Sequence, residues 1–192
     1  FEAPRDVYDA YAVSIVVTAA GTFVGLLLSS MAAFVLSRKE FFSRNRLALY
    51  IYFTTMFSGG LVPLYILMVR YLHLKNTLLA LIFPLLMSPW HIILLRTFMT
   101  SIPDSIVESA KIDGAGYFRI YAQLVMPLSV AGLATIGLFT ALQYWNDWFN
   151  AMLFIDDTSL YPLQFYLYKM LNSMKFLASI SGKAGVPLPH MP

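Results

Sequence analysis

Two clusters of polar side chains interrupt an otherwise apolar chain, and they hold most of its capacity for specific contact. The first lies in Ile102 to Pro127, IPDSIVESAKIDGAGYFRIYAQLVMP, the only sizeable polar, helix-signalled insert between long apolar runs. The second, Gln143-Tyr144-Trp145-Asn146-Asp147-Trp148-Phe149-Asn150, combines amide, carboxylate and aromatic groups, a set that binds a sugar by stacking and hydrogen bonding. Interfacial anchoring by Tyr and Trp, with Asp147 solvated or paired, is the competing use of the same side chains. Catalytic or metal chemistry finds little material. His73, His91 and His190 lie far apart and cysteine is absent, so neither zinc spacing nor a thiol nucleophile can be assembled. No GxxxxGK[ST] stretch is present, so the chain has no such loop to cradle a nucleotide phosphate.

The elements that must position these clusters are membrane helices. Of the 192 residues, 59% are apolar and 12% charged, and the mean hydropathy is +0.68, far from the balance of a soluble domain. The apolar runs are too long for barrel strands and do not alternate, so helices must satisfy the backbone in lipid. An all-α, polytopic membrane protein in one domain over residues 1–192 follows, with the lipid bilayer as its first partner. The net charge of +3 is spread among loops; it orients the chain in the membrane and does not point to nucleic acid.

About four spans fit the runs. The first is Tyr11 to Leu36, with small residues such as Gly21, Gly25, Ser29 and Ala33 at helical spacing, which lets another helix approach closely. Arg38, Lys39, Arg44 and Arg46, offset by Glu40, form the densest basic loop and place it in the cytoplasm. The second span, Leu47 to Val69, contains Ser58-Gly59-Gly60 and Pro63 and is expected to break near Gly60, where exposed backbone can line a pathway. The third, Thr77 to Leu95, carries Pro84 and Pro89 and should bend; His91 within it reads as a packed residue. The fourth runs from Pro127 to Trp148. From Asp156 onward, Leu163, Leu167, Met170, Met174 and Leu177 share a face interrupted by Lys169 and Lys175, which suits an interfacial helix on the outer side. Ser181 to Pro192, with two glycines and three prolines, reads as a loop.

Within the insert, Pro103-Asp104 suits a first helical turn, Ser105 to Ile112 a short helix, and Gly114 the left-handed residue that ends it. Tyr117 to Leu124 forms a second short helix before Pro127. The insert is therefore a helix-turn-helix elbow on the cytoplasmic side.

Its spacing is specific: Glu108-Ser109-Ala110, three residues, Gly114, nine residues, then Leu124-Val125-Met126-Pro127. This resembles the EAA motif of ABC importer permeases, departing only by Ser109 for alanine and Met126 for leucine. The stretches FSGGLVPLYILMVRYLHLKNTLLALIFP, Arg96 to Asp113 and YWNDWFNAMLFI are similar to the carbohydrate-uptake branch, the maltose-type second permease and its polysaccharide-permease relatives. The resemblance covers most of Tyr11 to Pro192. It implies six spans in complete relatives, so that this chain, which opens on Phe1 without a signal pattern, is expected to be the core of a permease without its first and last spans.

The resemblance further implies a prokaryotic inner-membrane subunit of a sugar importer that is not itself an enzyme. The helix around Pro103 to Ile112 would be a coupling helix seated on a cytoplasmic ABC ATPase dimer. Glu108, Ser109, Ala110, Asp113, Gly114 and Pro127 would carry that coupling. No cofactor is expected in this chain, ATP and Mg being bound by the ATPase. A second homologous permease and an extracytoplasmic solute-binding protein would complete the assembly. Gly59, Gly60, Tyr144, Trp145, Asn146, Asp147 and Trp148 are the candidate substrate-pathway residues. An ion-coupled secondary transporter using its interrupted helices with His91 or Asp147 is the alternative; it leaves the spacing from Glu108 to Pro127 unexplained.

Overall fold

The computed structural model describes residues 3–184, and every element among them is helical. Helix α1, Ala3–Ser37, is the axis of the molecule, about 52 Å long at 1.5 Å per residue. It contains no proline after Pro4 and, among the described residues, it alone is long and apolar enough to cross a membrane; with each bent pair counted as one span the described residues hold up to four. It begins eight residues before the expected Tyr11, because nothing in Ala3 to Ala10 after Pro4 prevents helical hydrogen bonding.

The second span is α2, Arg44–Met56, and α3, Leu61–Ile66, continued by a π turn at Leu67–Tyr71, the two arms bent by 110° across Phe57 to Gly60. Gly60 is at φ +85, and Pro63 falls in the first turn of α3, where its missing N–H leaves no bond unmade. The third pairs α4, Leu78–Ile82, and a 3-10 turn with α5, Pro89–Thr100, at 55°. Pro84 sits in that turn and Pro89 opens α5, which gives the span the bend that the sequence predicts. The elbow holds α6, Asp104–Ile112, and α7, Tyr117–Ile120.

The expected span from Pro127 to Trp148 is not a single helix. After a π turn at Tyr121–Val125 and α8, Met126–Leu128, the chain breaks at Ser129 and continues as α9, Val130–Trp145, at 83°. Pro127 cannot donate to the preceding turn, and its ring crowds the carbonyl four residues back, which accounts for the wide turn beside it. Helix α10, Phe149–Phe154, and α11, Leu163–Ala184, complete the described chain. Ser181 to Ala184 extend α11 rather than forming the expected loop, since a lone glycine, Gly182, weakens a helix without ending it and the first proline, Pro187, lies further on; residues 185–192 fall outside the described part. Of the stripe expected on α11, Leu163 is buried, whereas Leu167, Met170, Met174 and Leu177 are exposed.

Two apolar cores lie along α1. One gathers Phe34 and Leu36 with Leu95, Met99, Val107 and Ile136; the other gathers Val17 with Leu81, Tyr144, Phe154 and Phe165. In lipid, helix association rests on close packing, since burial against another helix gains little over burial in acyl chains. The tightest approach to another segment's backbone is at Gly25, where an added Cβ would stand 2.7 Å from the Leu86 carbonyl oxygen. Loops alternate between the two ends as four crossings require. At one end the segment after α1 meets the elbow through Lys39 and Asp104, 2.8 Å apart. At the other, Asn76 accepts from the Asp156 amide at 2.6 Å and Lys75 pairs with Asp156 at 2.7 Å.

Candidate functional site

The elbow is built locally. Asp104 lies in the first turn of α6 and Lys111 in the last, each complementing the helix dipole. The helix ends in a Schellman arrangement: the Gly114 amide donates to Lys111 at 2.9 Å and the Ala115 amide to Ala110 at 2.9 Å. Gly114 is at φ +78, a conformation that costs a side-chain-bearing residue energy. Val107 turns into the core, whereas Glu108, Ser109, Asp113 and Gly114 are exposed and Ala110 is half-buried. Glu108 enters none of the ion pairs on this face. The arrangement therefore presents a carboxylate and small residues outward from a helix whose underside is fixed. Pro127 is exposed as well, but acts further along, at the break before α9.

Charges hold the elbow to the end of α1. Hydrogen bonds from Lys111, then from Tyr117, keep the Glu40 carboxyl below its ordinary carboxylate value, and Lys39 does the same for Asp104. Burial lowers the Arg38 guanidinium from its ordinary value, against the raising effect of Asp104 and Glu40.

The aromatic cluster divides. Tyr144 is buried; its ring packs on Gly21 and its hydroxyl donates to the Ile82 carbonyl at 2.8 Å. Trp145 lies 6.4 Å from the Tyr11 ring, and Asn146 donates to the Leu142 carbonyl at 2.8 Å. Asp147 accepts from the Asn150 amide at 3.2 Å and from its side chain at 2.8 Å. Trp148 stacks on Tyr168 at 4.3 Å. Gly59 and Gly60 are not gathered with this group: a Cβ at Gly60 would meet nothing within 4 Å, and at Gly59 only Pro63. His91 Nδ1 stands 3.3 Å from Thr140 Oγ1, the packed position expected of it. Tyr144→Phe keeps the ring and removes one buried hydrogen bond, leaving the Ile82 carbonyl short of a partner. We expect a loss of about 1 kcal/mol of stability, read as a lower unfolding midpoint in detergent.

Sequence reasoning missed a groove of about 490 Å³ lined by Tyr52, Ile93, Arg96, Thr97, Thr100 and Ser101. Its signal was available: an arginine at the end of an apolar run, followed within five residues by Thr97, Thr100 and Ser101, is costly near lipid unless it lines a wet space.

Residues 25–182 match the family described as binding-protein-dependent transport system inner membrane component. The chain is 40% identical over 161 residues to the polygalacturonan/rhamnogalacturonan transport system permease protein YtcP of Bacillus subtilis, covering 84% of this chain and 56% of that protein. It is 39% identical over 155 residues to Protein LplC of the same organism, covering 81% and 52%. The arabinooligosaccharides transport system permease protein AraQ of Halalkalibacterium halodurans is 27% identical, covering 78% and 54%. Among solved structures, a chain of a bacterial ABC transporter involved in the import of the acidic polysaccharide alginate superposes with a TM-score of 0.83 at 31% identity, covering 87% of this chain and 59% of that one. The chain thus spans about half the length of the curated relatives it matches. A family match over most of the chain, joined to an apolar bundle with an exposed elbow, establishes that this protein belongs to the binding-protein-dependent transport system inner membrane components.

Proposed function

We propose that this chain is the membrane-spanning permease of an ATP-driven, binding-protein-dependent importer for an oligosaccharide, and that its described helices form one transmembrane domain. The α6 elbow carries the reading. Its core side is fixed by Val107, its outward side offers Glu108 and Ser109 to a groove on a separate ATPase dimer, and the small Ala110, half-buried against the core, keeps α6 seated close beneath that contact. Asp113 and Gly114 set the turn and Pro127 the break through which α6 continues into α9. ATP and Mg are bound by that ATPase, in keeping with the lack of a phosphate-binding loop in this sequence. A second homologous permease covers the exposed faces of α2 and α3, and a solute-binding protein docks at the opposite end, near Lys75 and Asp156.

The passage runs past the helix breaks. Gly59 and Gly60 open the backbone of the second span, Asn146 and Trp148 offer exposed polar and aromatic groups, and Tyr144, Trp145 and Asp147 hold that region in shape. The Arg96 groove provides a wet stretch toward the elbow end. An oligosaccharide is favoured because the relatives are named for polygalacturonan/rhamnogalacturonan and arabinooligosaccharide transport.

Reconstitution of the complete permease with its ATPase, partner permease and binding protein, using labelled oligogalacturonides, arabino-oligosaccharides and diacetylchitobiose as probes, tests this. Uptake of at least one probe should require ATP and the ATPase and survive ionophores. Uptake that persists without the ATPase but collapses with the ion gradient would establish the ion-coupled carrier instead.

A further inference from the structure

Three consecutive residues just past α1 tie it in turn to the end of α5 and to the two ends of α6 in the elbow. Arg38, 7% exposed, donates from Nη2 to the Met99 carbonyl at 3.1 Å and from Nε to Ser37 Oγ at 3.0 Å. Its guanidinium lies 5.4 Å from the Phe34 ring centroid. It thereby satisfies a carbonyl in the last turn of α5, where intrahelical partners run out. Lys39 reaches Asp104 in the first turn of α6. Glu40 accepts from Lys111 in the last turn of α6 and from the Tyr117 hydroxyl, at 2.9 Å, at the start of α7. Lys111 also sits 4.9 Å from the centroid of the Tyr117 ring.

Ties at both ends of α6 fix its direction as well as its position, whereas a single tie would let it swing about Val107. The covalent route from α6 to α9 is poorly suited to carrying a push. It passes the Gly114 turn, a π turn and the 83° break at Ser129. Helix α1, by contrast, is continuous from Ala3 to Ser37 and packs on both α5 and α9.

We propose that Arg38, Lys39 and Glu40 form a clasp that makes α6 and α1 one moving body, so that displacement of α6 enters the membrane bundle through α1. The inference rests on α6 being the seat of the ATPase. The outer pairs are partly exposed, so each adds little to stability, and their effect lies in fixing direction about the buried Arg38. Glu40 and Lys111 are positioning residues; the outward face with Glu108 stays free for the partner.

The test uses the complete reconstituted importer and whichever of the three labelled probes the unaltered complex takes up. Glu40→Ala should retain ATPase binding and hydrolysis while lowering probe moved per ATP about fivefold. The swap Glu40→Lys with Lys111→Glu should restore the ratio to within about twofold, which a purely structural defect would not allow. An unchanged ratio in Glu40→Ala, loss of ATPase binding in that variant, or a swap that assembles without restoring coupling each overturns the clasp. An unaltered complex that binds no ATPase overturns the reading of α6 itself, and the clasp with it.

Discussion

Replacing Glu108 by alanine, or Gly114 by valine, in the assembled importer is expected to cut ATP-coupled uptake roughly tenfold while leaving sugar affinity of the binding protein unchanged. The two variants act on different links. Glu108 is exposed on α6 and unpaired on that face, so its loss removes a contact with the partner and little from the fold. Gly114 makes no outward contact of its own; at φ +78 it closes the turn that aims α6. A β-branched residue there is strained by about 1–3 kcal/mol, and the helix relieves the strain by re-aiming. Gly114→Asn should fall between glycine and valine, since asparagine tolerates the left-handed region. ATPase association measured beside uptake separates the variants. Glu108→Ala should weaken binding, and Gly114→Val should lower transport per ATP by more than it lowers binding.

The largest loss of stability is expected at Gly25. A Cβ there would lie 2.7 Å from the Leu86 carbonyl oxygen, a backbone atom at the bend between α4 and α5. A side chain could turn aside, but this carbonyl can move only by shifting the bend, and Pro84 and Pro89 on either side limit that shift. Gly25→Leu should cost about 3 kcal/mol or more and show as loss of folded protein in detergent extracts. Gly59→Ala supplies the contrast. Its Cβ would meet only Pro63 at 3.8 Å, an ordinary contact, and the variant should match the parent in yield.

These residues also show what the chain discloses before folding. Local rules located the break before Gly60, the bend between Pro84 and Pro89 and the turn at Gly114, because glycine and proline impose them without help from distant partners. The outward face of α6 was legible as a spacing. Ser129 was not, because serine carries no strong breaking signal and the break falls two residues beyond Pro127, whereas the proline's own disruption is the π turn before it. The division of the aromatic cluster was hidden for another reason. Tyrosine and tryptophan serve as anchors, platforms or core, and Tyr144 is committed to the core by Gly21 and the Ile82 carbonyl, both remote in sequence. Arg38 read as one member of a basic loop; that it reaches Met99 depends on where α5 ends.

The claim that α6 joins this permease to an ATPase is tested most directly by a photo-activated cross-linking residue placed singly at position 108 or at position 157, at the opposite end, in the complete permease. With the purified cognate ATPase present, position 108 should give an adduct and position 157 none. An adduct from 157 and none from 108, or adducts from neither in a complex that hydrolyses ATP and transports, would contradict the account.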